Sequence, residues 1–237
     1  MNRLKSIDLA KEVKKLSSKA RAQGAARFFK TGPSEYGAGD IFAGLTVPEC
    51  RVLAKKYLTL DLNEVKKLLT SPTHEIRLIG LLVLVAQFKT GDERLKTKIF
   101  NFYLANLNRV NNWDLVDLSA PNIAGVYLLN KPKNILTKLV KSKNLWARRT
   151  AIVATLTFIK AGQLNETFKL TKLLLKDEHD LIHKAMGWML REAGKKDLSA
   201  LEHFLKTNYS ALPRTTLRYA IELLPKIKRQ KYLLGKF

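Results

Sequence analysis

The sequence predicts an all-α protein: an α-solenoid of HEAT-like helical repeats forming a single curved domain with a concave basic face. Three observations predict it. Apolar residues recur at three- and four-residue spacing through most of the chain, whereas alternating runs rich in Val, Ile and Thr are scarce. Turn-forming breaks at Ser71-Pro72, Thr90-Gly91-Asp92, Lys131-Pro132, Ala161-Gly162, Ala193-Gly194-Lys195 and Leu212-Pro213 cut the pattern into short helices. The segments that follow such breaks also resemble one another, the mark of a repeat architecture.

Four of these segments align without gaps. They are Glu75-Ile-Arg-Leu-Ile-Gly-Leu-Leu82, Trp146-Ala-Arg-Arg-Thr-Ala-Ile-Val153, Leu181-Ile-His-Lys-Ala-Met-Gly-Trp188 and Thr215-Thr-Leu-Arg-Tyr-Ala-Ile-Glu222. The last three start about 35 residues apart and the first lies about two such periods upstream, so a missing unit is expected near residue 110. Val110-Asn-Asn-Trp-Asp-Leu-Val-Asp117 fits there. A period of this length built from helix pairs is that of a HEAT or TPR solenoid, and the TPR consensus is absent. About five helix-pair repeats then occupy residues 60–230, with residues 1–60 as an N-terminal helical cap and ordered loop, and 1–237 as one domain. Within the cap, Lys30-Thr-Gly-Pro-Ser-Glu-Tyr-Gly-Ala-Gly-Asp40 carries too much Gly and Pro for a helix. Its Tyr36-Gly-Ala-Gly-Asp40 stretch lacks the preceding strand and following Gly-Lys-Ser/Thr of a phosphate loop.

The bulk properties bound the function. With 46% hydrophobic residues among 237, the chain can bury a sizeable core. Its 43 Lys and Arg against 20 Asp and Glu give a formal charge of +23. For a folded domain this favours nucleic acid, because each phosphate neutralised releases counterions and adds sequence-independent affinity. A membrane surface is the rival, since residues 1–23 are Lys-rich with Leu4, Ile7, Val13 and Leu16 at helical spacing. That stripe is narrow and carries no Trp or Phe. The longest apolar run, Leu78 to Phe88, is too short to span a bilayer. Lys5, Asp8, Lys11 and Glu12 interrupt what a signal peptide would keep apolar. A single cysteine, Cys50, excludes an internal disulfide and a cysteine-built zinc site, as in a reducing cytoplasm. The pair His179 and His183 lacks a His-Glu-x-x-His pattern and is assigned to the surface, so no metal and no cofactor are expected.

The alignment also yields two columns four residues apart, adjacent on one helical face. The first holds Leu78, Trp113, Arg149, Lys184 and Arg218; the second holds Leu82, Asp117, Val153, Trp188 and Glu222. A pure core face would be apolar in both. The mixture of cations, aromatics and an acid predicts a functional stripe, against the plainer reading of packing tryptophans beside solvated charges.

Four stretches carry a family resemblance over nearly the whole length: Phe28 to Pro48, Asn112-Trp-Asp-Leu-Val-Asp117, Trp146-Ala-Arg-Arg-Thr-Ala151 and Lys184-Ala-Met-Gly-Trp-Met-Leu-Arg-Glu192. The chain resembles the AlkD family of bacterial DNA alkylation-repair glycosylases, which are built from HEAT-like repeats. The resemblance implies hydrolysis of the N-glycosidic bond of N3- or N7-alkylated purines in double-stranded DNA, with Trp113, Asp117 and Trp188 in the active site. It also implies DNA contact by Arg149; its neighbour Arg148, with Lys184 and Arg218, is expected to grip phosphates. Asn112 stands where the family carries a further Trp. A cytoplasmic monomer with no obligate protein partner is expected. The competing expectation is a non-catalytic solenoid that binds branched or distorted DNA.

Overall fold

The computed structural model describes residues 4–237, which form two compact units, one ending at Ser119 and the other comprising Ala120–Phe237. Among the described residues there is no strand, only one isolated parallel bridge between Ile41 and Thr73.

The first unit contains α1 (Ser6–Leu16), α2 (Lys19–Phe28), α3 (Val47–Lys56), α4 (Leu62–Leu69), α5 (His74–Thr90), α6 (Glu93–Ala105), a 3-10 turn (Leu107–Arg109) and α7 (Trp113–Ser119). Helix starts follow the local chemistry. Thr46 and Glu49 form a reciprocal capping box on α3, Asp61 accepts from Glu64 N at 3.0 Å on α4, and Asp92 accepts from Leu95 N at 2.7 Å on α6. Each carboxylate or hydroxyl satisfies an amide that the helix leaves without an internal acceptor. From Leu78 to Ala86 helix α5 is apolar all round, and Ile79, Leu81, Val83 and Leu84 have no exposed surface. It is the axis of the unit, packed by α1, α3, α4, α6 and α7.

The second unit opens with a π turn (Pro121–Gly125) leading into α8 (Val126–Leu128), followed by α9 (Asn134–Val140), α10 (Leu145–Lys160), α11 (Asn165–Leu174), α12 (Asp180–Lys196), α13 (Leu198–Asn208), a 3-10 turn (Tyr209–Ala211), α14 (Arg214–Ala220) and α15 (Lys226–Leu234). Helix α10 packs on α12 and α12 on α14, while α9, α11 and α13 pack beside them. This is the pair-on-pair stacking of a solenoid. Gly187 sets the α12–α14 spacing: a Cβ there would lie 2.4 Å from Tyr219 Cβ and 2.7 Å from the Thr216 carbonyl.

Four of the five aligned segments coincide in register with helix starts. Helices α5, α10, α12 and α14 each begin one residue before the aligned segment, at His74, Leu145, Asp180 and Arg214. The segment expected near residue 110 holds α7, which starts at Trp113, three residues into the segment, so its helix start is out of step with the other four. The physical basis is a recurring helix start. The side chains of Ser71, Ser142 and Asp177 accept from the amides of Thr73, Asn144 and His179 at 3.1, 3.1 and 3.0 Å, turning the chain into the helix. Six residues beyond each turn residue, Arg77, Arg148 and His183 reach back to the carbonyls just passed. Arg77 Nη1 donates to Ser71 O and Pro72 O at 2.9 and 3.1 Å, Arg148 Nη1 to Ser142 O and Lys143 O at 3.0 Å each, and His183 Nε2 to Asp177 O.

Candidate active site

Trp113 and Asp117 lie one turn apart on α7 in the first unit, both half-buried. Trp113 is fixed by aromatic neighbours supplied by the end of α2 and the loop after it. Its ring stacks on Phe29 at 5.2 Å, meets Phe28 edge-on at 5.8 Å, and its Nε1–H donates to Tyr36 Oη at 3.3 Å. Phe28 is 65% exposed, so the edge-to-face pair presents an aromatic surface to solvent. Phe29 continues the stack inward onto Phe42 and His74, at 5.1 and 5.0 Å.

Behind this stack lies a polar network that sequence reasoning missed. Asp40, at the end of the Gly-rich loop, accepts from Arg77 Nη2 at 2.6 Å, His74 Nδ1 at 3.4 Å, Asn112 Nδ2 at 3.3 Å and Asn111 Nδ2 at 3.4 Å. His74 Nε2 bonds Asp114 Oδ2 at 2.8 Å. Burial opposes a charge on His74, but the bonds to Asp114 and Asp40 outweigh it and raise its pKa to about 9. Burial likewise pushes the Asp40 carboxyl upward, yet the His74 bond and the Arg77 charge hold it below its ordinary value. Asn112 is fully buried; it gives its amide to Asp40 and accepts from Trp113 N at 2.8 Å. The residue that departs from the family's Trp thus serves the network at the start of α7.

A second buried acid fixes the loop. Glu75 accepts from the amides of Ala43, Gly44 and Leu45 at 2.8, 2.7 and 3.2 Å. Gly44 makes this possible with φ of +83°, and a Cβ there would sit 2.3 Å from Ser18 O. The available sequence signal was polar residues where none belong: His74, Glu75 and Arg77 open the most apolar helix of the chain.

In the second unit, Arg149, Lys184 and Arg218 occupy equivalent positions on α10, α12 and α14, and Trp188 follows Lys184 by one turn. Their settings differ. Arg149 is only 5% exposed and donates from Nη1 to Leu181 O at 2.5 Å. Arg148 pairs through Nε with Asp177 at 2.6 Å in addition to its two carbonyl bonds. Lys184 keeps 40% of its side chain exposed and pairs with Asp180 at 2.7 Å; burial opposes the effect, but Lys184 holds that carboxyl below its ordinary value. Arg218 is exposed, and Glu222, one turn on, pairs with Arg191. Trp188 is half-buried. His179 and His183 are both engaged locally, His179 Nδ1 accepting from Leu181 N at 3.2 Å. Among the described residues no group of three or more His, Cys, Asp or Glu is placed to hold a metal ion. Nor is any helix there long and apolar enough to cross a membrane.

Residues 9–224 match the family model described as DNA alkylation repair enzyme. The chain belongs to the DNA alkylation repair enzyme family. Its fold is similar to that of a solved protein from Enterococcus faecalis, described as a predicted DNA alkylation repair enzyme, with a TM-score of 0.72 and 19% identity over 89% of this chain and 97% of that one. Comparison with the curated proteins gives no match. Membership of the DNA alkylation repair enzyme family assigns the chain a role in repairing alkylation damage, with DNA as its substrate.

Proposed function

We propose that the protein is a DNA glycosylase that hydrolyses the N-glycosidic bond of purines alkylated at N3 or N7 in double-stranded DNA, opening base-excision repair. The observation that carries this reading is the pairing of Trp113 and Asp117 one turn apart on α7, with Trp113 held in an aromatic stack. An alkylated purine of this class already bears positive charge, so its departure needs no proton. What the enzyme supplies is stabilisation of an oxocarbenium-like sugar and placement of a water, and the Asp117 carboxylate suits both. The negative π face of Trp113 attracts the cationic nucleotide; Trp188, half-buried in the second unit, is a second aromatic face of the same kind. Phosphates are gripped by Lys184 and Arg218, the two cations of the column that keep surface exposure; Arg148 and Arg149, drawn into contacts within the second unit, shape the helix starts behind them.

The test is release of 7-methylguanine or 3-methyladenine from alkylated duplex DNA. The native protein is expected to release base and Asp117→Asn to lose at least tenfold in rate while still binding DNA. Equal release by both proteins refutes Asp117 as the catalytic group. Tight DNA binding with no release by the native protein refutes glycosylase activity.

A further inference from the structure

We propose that Asp40 is the positioning residue of the active site: its carboxylate, through His74 and the asparagines before α7, fixes where Trp113 and Asp117 stand. The proposal rests on the glycosylase reading for its kinetic consequence and on geometry within the first unit for everything else.

The geometry converges on one side chain. The Asp40 side chain is 4% exposed and collects donors from two stretches far apart in the sequence: Arg77 and His74 on the first turn of α5, and Asn111 and Asn112 immediately before α7. His74 carries the connection on to Asp114, in the first turn of α7 itself. Asn112, held by Asp40, accepts the backbone amide of Trp113. Helix α7 has only seven residues, too few to hold its own orientation by helix formation alone. Its start is therefore set by these bonds and by packing. A catalytic pair must be held to within about 0.5 Å and 10–20°, which needs neighbours that are themselves locked.

The same carboxylate anchors the loop that walls Trp113. Backbone bonds tie the residue after Asp40 to the start of α5: Ile41 N donates to Pro72 O at 3.2 Å and His74 N to Ile41 O at 2.8 Å. Upstream, Lys30 and Ser34 adopt φ of 52° and 67°, left-handed values that non-glycine residues rarely take. Such a loop persists only where its surroundings over-determine it. With Asp40 holding its end, Tyr36 stays on the Trp113 indole N–H and Phe29 on its face. Removing the charge at residue 40 releases both the α7 start and the loop, and Trp113 loses its fixed setting from two sides.

The experiment uses the full-length, uniformly 15N-labelled protein. The indole N–H resonance of Trp113 is assigned by its absence in Trp113→Phe. In Asp40→Asn, which preserves shape and removes charge, this resonance is expected to shift or broaden. The rate of base release at saturating alkylated duplex is expected to fall at least tenfold, with the half-saturating DNA concentration changing less than twofold. His74→Gln is expected to act in the same direction, and Asn111→Ala, which removes one of the two longer spokes, more weakly. The last two decide the matter if Asp40→Asn does not fold. A native-like indole resonance with release within twofold of native, in folded variants, overturns the proposal, as does lost stability with an unmoved resonance. If the native protein releases no base, the glycosylase reading fails, and the resonance alone decides whether Asp40 positions Trp113.

Discussion

Raising the pH from about 6 to about 10 should remove a defined part of the stability of the first unit, through His74 alone among the groups of its network. His74 is 2% exposed, with Phe29 and Phe42 against its ring, Asp114 on Nε2, Asp40 on Nδ1 and Arg77 nearby. Its pKa rises from 6.5 to about 9 on folding. Below its unfolded value both states are protonated and the full stabilisation is present. Between that value and about 9 the folded state holds a proton that the unfolded chain has lost, so stability falls with pH at about 1.4 kcal/mol per unit. The whole window amounts to about 3 kcal/mol, lost once His74 is neutral in both states. Asp40, its carboxyl lowered, stays ionised throughout and adds no slope. The assay is urea unfolding of the native protein and of His74→Gln across this range, taking the difference at each pH so that other titrating groups cancel. The difference should be large near pH 6 and shrink by about 3 kcal/mol by pH 10. A difference that stays constant with pH would refute a buried imidazolium between two carboxylates.

Two further outcomes follow from the second unit. Gly187→Val places a Cβ 2.4 Å from Tyr219 Cβ and against the Thr216 carbonyl, neither the tip of a flexible side chain, so α12 and α14 must separate; unfolding in urea should show a loss of about 3 kcal/mol, and a variant within 0.5 kcal/mol of native, a margin of about measurement error, would contradict the close approach. Lys184→Ala and Arg218→Ala should each reduce the salt slope of duplex binding by about one, whereas Arg148→Ala, which removes the ion pair to Asp177 and two carbonyl bonds, should lower stability and leave that slope unchanged.

The sequence by itself determined the helical class, the repeat period and the registers of α5, α10, α12 and α14. Those are properties of local spacing: apolar residues recur every three or four positions in all four, and a turn residue that bonds the amide two residues on recurs before α5, α10 and α12, whereas α14 follows Pro213. It also placed Trp113 above Asp117, since four residues in a helix mean one face. Arg149 and Lys184 shared a column in the alignment, yet one is buried against Leu181 and the other half exposed, because burial depends on what the neighbouring helix presents at that height. The network around Asp40 was illegible for a stronger reason. Its members come from a loop, from the start of α5 and from the approach to α7, separated by 34 to 72 residues. No periodicity links them, and only the folding of the loop back onto α5 brings a carboxylate to within hydrogen-bonding distance of an imidazole, a guanidinium and two amides.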